Sequence, residues 1–300
     1  MYMRTLLLLI VSAALALGLT TAPAAQGPLL PPPASSADRT SESSTVQSAP
    51  PPVRFAVIGD MGTGSRRQLE TARRMWTEHA RFPFTFVLTV GDNLYGREDP
   101  SDIERKFIVP YKPIIDAGIP FFASLGNHDE RTQTLYPLFN MNGKPYYTFT
   151  RGPAQFFALD STLMTQVQLR WLEEELKRST VDWKIAYFHH PIYSSGLRHG
   201  PTLVLRSALE PILATFGVQV VFTGHEHFYE RLNPRYGVQP FITGSGGQLR
   251  RDGIRDASIE MAAGYDQDNV FLLAEIAGDT LRFEAVSRLG AVVDSGTIAR

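Results

Sequence analysis

The stretch FTFVLTVGDNLYG, residues 84–96, runs seven largely apolar residues into a glycine and then presents a carboxylate, a carboxamide and a phenol at Asp92, Asn93 and Tyr95. A short apolar run bounded by Gly predicts a strand buried on both faces, here over 84–90. Taken alone, Gly-Asp-Asn is an ordinary turn in which Asp and Asn bond their own backbone. Its meaning depends on whether other strands end in the same way.

Four others do. Val57-Ile58-Gly59-Asp60 closes a strand over 54–58, and Leu125-Gly126-Asn127-His128-Asp129 follows one over 119–124. Phe188-His189-His190-Pro191 closes a strand over 184–188, and Thr223-Gly224-His225-Glu226-His227 follows one over 218–222. Further strands are expected over 146–150, 155–159, 238–242, 268–276, 279–287 and 290–298, and amphipathic helices over 65–78, 166–178 and 203–216. The first half alternates β and α while the last third is mostly strand, which fits two packed sheets flanked by helices. In such α/β sheets, ligands gather at the carboxyl ends of the strands.

Six of the seven histidines lie in these blocks or just after them, at His199, while His79 falls on a polar helix and is expected to be a solvated surface residue. Carboxylates, a carboxamide and imidazoles converging in a chain without cysteine suit Fe, Mn or Zn and exclude thiolate sites.

The flanks bound the rest. Residues 1–25 combine Arg4, a 14-residue apolar run from Leu6 to Leu19 and the small-residue sequence Ala22-Pro23-Ala24-Ala25, and read as a secretory signal peptide. The run is short of the roughly 20 residues a membrane span needs. Residues 26–52 are rich in Pro and Ser and read as an extended linker before a domain at 53–300. Secretion or residence in a periplasm is expected, with no membrane association after cleavage; an uncleaved N-terminal anchor is the alternative. Lys and Arg number 29 against 30 Asp and Glu; loss of Arg4 leaves 28 against 30, so no basic surface calls for a nucleic-acid partner.

In order and residue type, the blocks GD, GDxxY, GNHD, HxP and GHxH resemble those of the calcineurin-like metallophosphoesterases, and Tyr95 in GDNLY makes them most similar to the purple, or tartrate-resistant, acid phosphatases. The resemblance spans about residues 54–247. It implies a four-layer α/β/β/α sandwich holding two metal ions, Fe(III) beside Fe(II), Zn(II) or Mn(II). Carried over by motif, Asp60, Tyr95 and His227 bind the trivalent ion, Asn127, His189 and His225 the divalent one, and Asp92 bridges both. His128 then faces the leaving group and His199, in RHGPT, lines the phosphate pocket. His189 is preferred to His190 because it stands in the His-x-Pro position; His190 packs or orients a ligand.

The chemistry accounts for these residue types. Two close ions need one shared anion, and a carboxylate can bridge where an imidazole cannot. Asp60, Asp92 and a Tyr95 phenolate carry three negative charges, which leaves a +3/+2 pair with net charge to attract a phosphate dianion. Asn93 is assigned to orienting its neighbours. The expected activity is an exported phosphomonoesterase acting on a small phosphorylated substrate, by in-line attack of a metal-bound hydroxide with His128 as general acid. A phosphodiesterase or nucleotide pyrophosphatase on the same metals is the alternative, and a non-catalytic metal-containing binding protein a third reading.

Gly244-Ser245-Gly246-Gly247 is expected either to bring backbone to the substrate or to form a tight turn. Tyr136, Tyr193 and Tyr229 either shape the pocket or pack in the core. No cysteine pair matches the disulfide of the animal enzymes, and the Pro-rich linker has no counterpart, so the family's substrate preferences do not carry over.

Overall fold

The computed structural model describes residues 51–255, 258 and 260–300. The expected signal peptide and nearly all of the linker lie outside the described residues. Among those described, no helix is long and apolar enough to cross a membrane.

The chain opens with β1 (Val53–Ile58), α1 (Arg66–His79) and β2 (Val87–Val90), followed by a helical stretch made of α2 (Pro100–Ile103), a π-helical turn (Glu104–Ile108) and α3 (Val109–Asp116). Then come β3 (Phe121–Ser124), β4 (Tyr147–Arg151), β5 (Ala154–Ala158), α4 (Gln166–Arg178), β6 (Trp183–Tyr187), α5 (Leu203–Thr215) and β7 (Val220–Thr223). The remainder is strand: β8 (Tyr229–Leu232), β9 (Gln239–Thr243), β10 (Met261–Tyr265), β11 (Val270–Ala277), β12 (Thr280–Ser287) and β13 (Val292–Ala299). One sheet has the order β13-β12-β11-β1-β2-β3 and the other β10-β8-β9-β7-β6-β5-β4. In the first, β1, β2 and β3 are parallel; in the second, β5, β6, β7 and β9 are parallel.

The parallel strands are largely buried on both faces, and β2 and β7 are buried at every position, with Thr89 and Thr223 the polar residue in each. The two sheets face each other across an aromatic layer in which Phe55 meets Phe156 edge-on at 5.3 Å and Phe86 meets Phe156 at 5.2 Å. Outside the first sheet, α1 and α3 place Ala72, Met75, Tyr111 and Ile114 into the same core. Outside the second, α4 and α5 bury Leu169, Leu172, Leu176, Leu209 and Leu213 in a core of their own. The result is the expected α/β/β/α sandwich.

Helix α1 shows how the sequence sets its own limits. Ser65 caps it by accepting from Gln68 N, and Gln68, Thr71, Ala72, Met75 and Glu78 form its buried stripe. His79 departs from the expected solvated state. Its ring stacks on Trp76 at 5.1 Å, and Nε2 lies 3.2 Å from the Phe84 carbonyl, which pins the helix end to the segment leading into β2.

Candidate metal centre

The loops that follow β1, β2, β3, β6 and β7 meet at one place. Asp60 Oδ1 accepts the Tyr95 hydroxyl at 3.0 Å and lies 3.3 Å from His227 Nε2, which is itself 3.3 Å from the Tyr95 oxygen. These three form one compact triad of donors. A second is built on His189, whose Nε2 lies 3.0 Å from Asn127 Oδ1 and 3.2 Å from His225 Nδ1. Asp92 meets both: its Oδ1 is 3.4 Å from His189 Nε2, and its carboxylate also bears on the Tyr95 hydroxyl. Ligand atoms of Asp60, Asp92 and His189 all lie within 4.8 Å of one another, as do those of His189, His190 and His225.

Backbone geometry produces this crowding. Asp60, Asp92 and His225 adopt φ of 52°, 48° and 68°, left-handed values that cost a non-glycine residue on the order of 1–3 kcal/mol and cluster at functional sites. The glycines before His225 and Asn127 leave the space: a Cβ on Gly224 would lie 2.4 Å from Asp60 Oδ2, and one on Gly126 2.2 Å from Asp92 N. Each carboxylate has one oxygen fixed by a neighbouring loop, Asp60 Oδ2 by His225 N and Asp92 Oδ1 by His128 N, both at 2.9 Å.

Burial, and then the Asp92 charge, hold the Asp60 carboxyl well above its ordinary range, and Asp92 is raised chiefly by burial. The Tyr95 phenol is pushed far up by burial and by both carboxylates. The imidazoles move the other way: burial drives His189 well down, His225 to about 2 and His227 to about 4. Neutral imidazoles with free lone pairs beside desolvated acids are a set that multivalent cations complete. The His189 tautomer agrees, because Nδ1 faces the Val90 carbonyl at 3.0 Å and leaves the Nε2 lone pair for an ion. Oxygen and nitrogen donors without sulfur fit Fe, Zn or Mn.

Supporting residues surround the donors. Asn93, expected to orient its neighbours, accepts from Thr89 Oγ1 at 2.5 Å and turns its amide nitrogen to Ser124 O, Asp129 Oδ2 and Gln133 Oε1 at 2.8–3.1 Å. Asp129 accepts from the backbone N–H groups of Asn93, Leu94 and Gly126, and burial and Asp92 raise it to about 8. His190 lies against His225, with rings 4.5 Å apart, and its Nδ1 is 3.0 Å from Ser161 Oγ. His128 is exposed at the mouth with its ring 4.9 Å from that of Tyr95, and the His199 ring lies 4.3 Å from that of His225.

Three side chains central to this network escaped the sequence reading: Asp129, Glu226 and Arg250. Asp129 and Glu226 stand in GNHD and GHEH, where an acid beside candidate ligands marks the position but not the role. Gly244–Gly247 runs beside the centre, where a Cβ on Gly244 would lie 2.8 Å from Asp60 Oδ2. Gly246 N donates to Gly59 O, and Gly247 N donates to Asp60 O, so the segment braces the turn that carries Asp60. Tyr136, Tyr193 and Tyr229 are packing residues: Tyr136 sits on Phe107 and Phe139, Tyr193 beneath Arg206, and Tyr229 is fully buried with its hydroxyl on Asp294.

Known proteins resemble this chain in sequence and in fold. Tartrate-resistant acid phosphatase type 5 of Mus musculus is 29% identical over 241 residues, covering 65% of this chain and 73% of its own. Among solved structures, purple acid phosphatase PPD1 from yellow lupin superposes with a TM-score of 0.69 at 19% identity, over 83% of this chain and 54% of that one. GAP50, the anchor in the inner membrane complex of Plasmodium, gives 0.70 at 21% identity, over 83% and 89%. These two are likenesses of fold. The calcineurin-like phosphoesterase profile matches residues 53–229, more than half of the sequence and every block that supplies a donor, and the chain belongs to that family.

Proposed function

We propose that this protein is a binuclear metal-dependent phosphomonoesterase of the purple acid phosphatase type, carried by the domain at 53–300 and exported. One observation carries the reading: two donor triads, Asp60–Tyr95–His227 and Asn127–His189–His225, stand either side of a single buried carboxylate, Asp92, that reaches into both. The triad with the phenol suits a trivalent iron, and the carboxamide and two imidazoles suit Fe(II), Zn(II) or Mn(II). Bound there, such a pair polarises phosphate oxygens and lowers the pKa of water.

The chain's own groups do the rest. The backbone N–H groups of His225 and His128 hold one oxygen of Asp60 and of Asp92, so the other oxygens keep a fixed direction. His128, exposed beside Tyr95, is the group available to give a departing alkoxide its proton, and His199 lies beside His225. A likeness of fold to an anchoring protein carries no activity, whereas the complete donor set favours catalysis.

Metal analysis of the purified protein, with rates on nitrophenyl phosphate and its bis-ester, tests the proposal. About two ions per chain and a preference for the monoester are expected; a preference for the bis-ester would move the activity to the diesterase alternative. An iron-loaded protein should also be coloured by phenolate-to-iron charge transfer, and Tyr95→Phe should bleach it. A colourless, active iron protein would remove Tyr95 from the donor set.

A further inference from the structure

We infer that Glu226, between His225 and His227, is a positioning residue that anchors the wall of the phosphate pocket; this rests on the phosphomonoesterase reading above. Its side chain is fully buried. Oε1 accepts from Gly200 N at 2.8 Å and His199 N at 3.2 Å, while Oε2 accepts from Arg250 Nη1 at 3.2 Å. Gly196 packs so closely that a Cβ there would lie 2.0 Å from Oε1.

The segments Glu226 grips also hold each other. Leu197 N donates to Gly253 O and Arg255 N to Ser195 O, both at 2.9 Å, with Gly196 opposite Ile254 in an antiparallel bridge. Arg250 N donates to His227 O at 2.8 Å. One buried carboxylate therefore ties a two-segment ribbon to the loop that carries His225 and His227. The ribbon delivers a basic group to each side: His199 reaches the His225 ring, and Arg250 Nη2 lies 3.5 Å from His227 Nδ1.

Two effects of removing Glu226 have opposite signs. Deleting a negative charge beside Arg250 strengthens phosphate binding on Coulombic grounds. Releasing His199 and Arg250 from their positions weakens it. A positioning role requires that the second effect win.

The test uses metal-loaded protein, nitrophenyl phosphate and inorganic phosphate as a competitive inhibitor. In Glu226→Ala, KM and the phosphate inhibition constant should each rise about tenfold, the equivalent of one charge-assisted hydrogen bond, with kcat within about threefold and two ions retained. Gly196→Ala, whose new methyl displaces Oε1, should raise both constants in the native background but add nothing in the Glu226→Ala background. If Glu226→Ala does not fold, Glu226→Gln keeps the volume and one acceptor and should still raise both constants by releasing Arg250. Tighter or unchanged phosphate binding with both ions present would overturn the inference, as would loss of an ion, which would make Glu226 a support of the metal centre. A wild type that hydrolyses no phosphomonoester would remove the proposed function and this role together; an active wild type with an unaltered variant removes this role alone.

Discussion

Asp92 meets both donor triads, so its charge would serve both proposed ion sites. Asp92→Asn keeps the shape and removes the anion; metal analysis should then find fewer than two ions per chain, and hydrolysis should fall by at least about 100-fold. Retention of both ions at near-normal activity would rule out the bridge. His128 differs in kind, since its backbone holds Asp92 while its ring stands exposed beside Tyr95 at the mouth. In His128→Ala, alkyl phosphates should lose about 10²–10⁴-fold in kcat/KM, and aryl phosphates with acidic phenols much less, with metal content unchanged. Equal losses on both would assign the ring to binding phosphate instead. The candidate donors were legible in the sequence because each sits at the end of an apolar run, most directly after a glycine, a local pattern that survives in one dimension. Glu226 and Arg250 were not. Their roles arise only when residues 196–200 and 250–255 come together, and no spacing within either segment records that meeting.

Among the elements, the strands that run into glycine-marked blocks were readable to within about three residues, whereas the helical stretch over 100–116 was not expected at all. Pro110 and Pro113 interrupt its pattern, and a π-turn at Glu104–Ile108 shifts its periodicity, so no single 3.6-residue stripe runs through it. β8 was hidden by its position directly after GHEHF, and β10, MAAGY, by its small residues. β8 carries Glu230, fully buried, with both oxygens facing Ser195 N at 3.0–3.2 Å. Burial raises its carboxyl from 4.5 to about 7. The folded chain therefore keeps this proton over a pH range in which the unfolded chain has lost it. Stability from this group is largest below about pH 4.5 and declines as pH rises to about 7, by up to about 3 kcal/mol. The depressed His225 and His227 act in the opposite direction below pH 6.5, so the comparison must be with Glu230→Gln in the same metal state. Melting temperatures from pH 4.5 to 7 should decline more steeply in the wild type than in the variant; parallel curves would mean that Glu230 is ionised throughout.

For the whole described domain, the proposed donors come from both sheets: Asp60, Asp92, Tyr95 and Asn127 follow strands of one, and His189, His225 and His227 follow strands of the other. Ions held by these residues would link the two layers across the end of the aromatic core. Ligand that binds only the folded state at about 1,000 times its Kd stabilises by about 4 kcal/mol. With about 2–4 °C per kcal/mol at this size, chelation should lower Tm by roughly 10 °C, and readdition of metal should restore it. An unchanged Tm would mean that the ions bind weakly or also bind the unfolded chain. The contact between Asp60 and His225 spans 165 residues of sequence, so the centre belongs to neither sheet alone. During synthesis, a ribosome-bound chain could present Asp60, Asp92 and Asn127 early, yet it could not close a two-metal centre until His227 had emerged and the layers had docked. Hydrolytic turnover would thus serve as a signal with almost no background for the moment at which the two layers of a nascent chain dock.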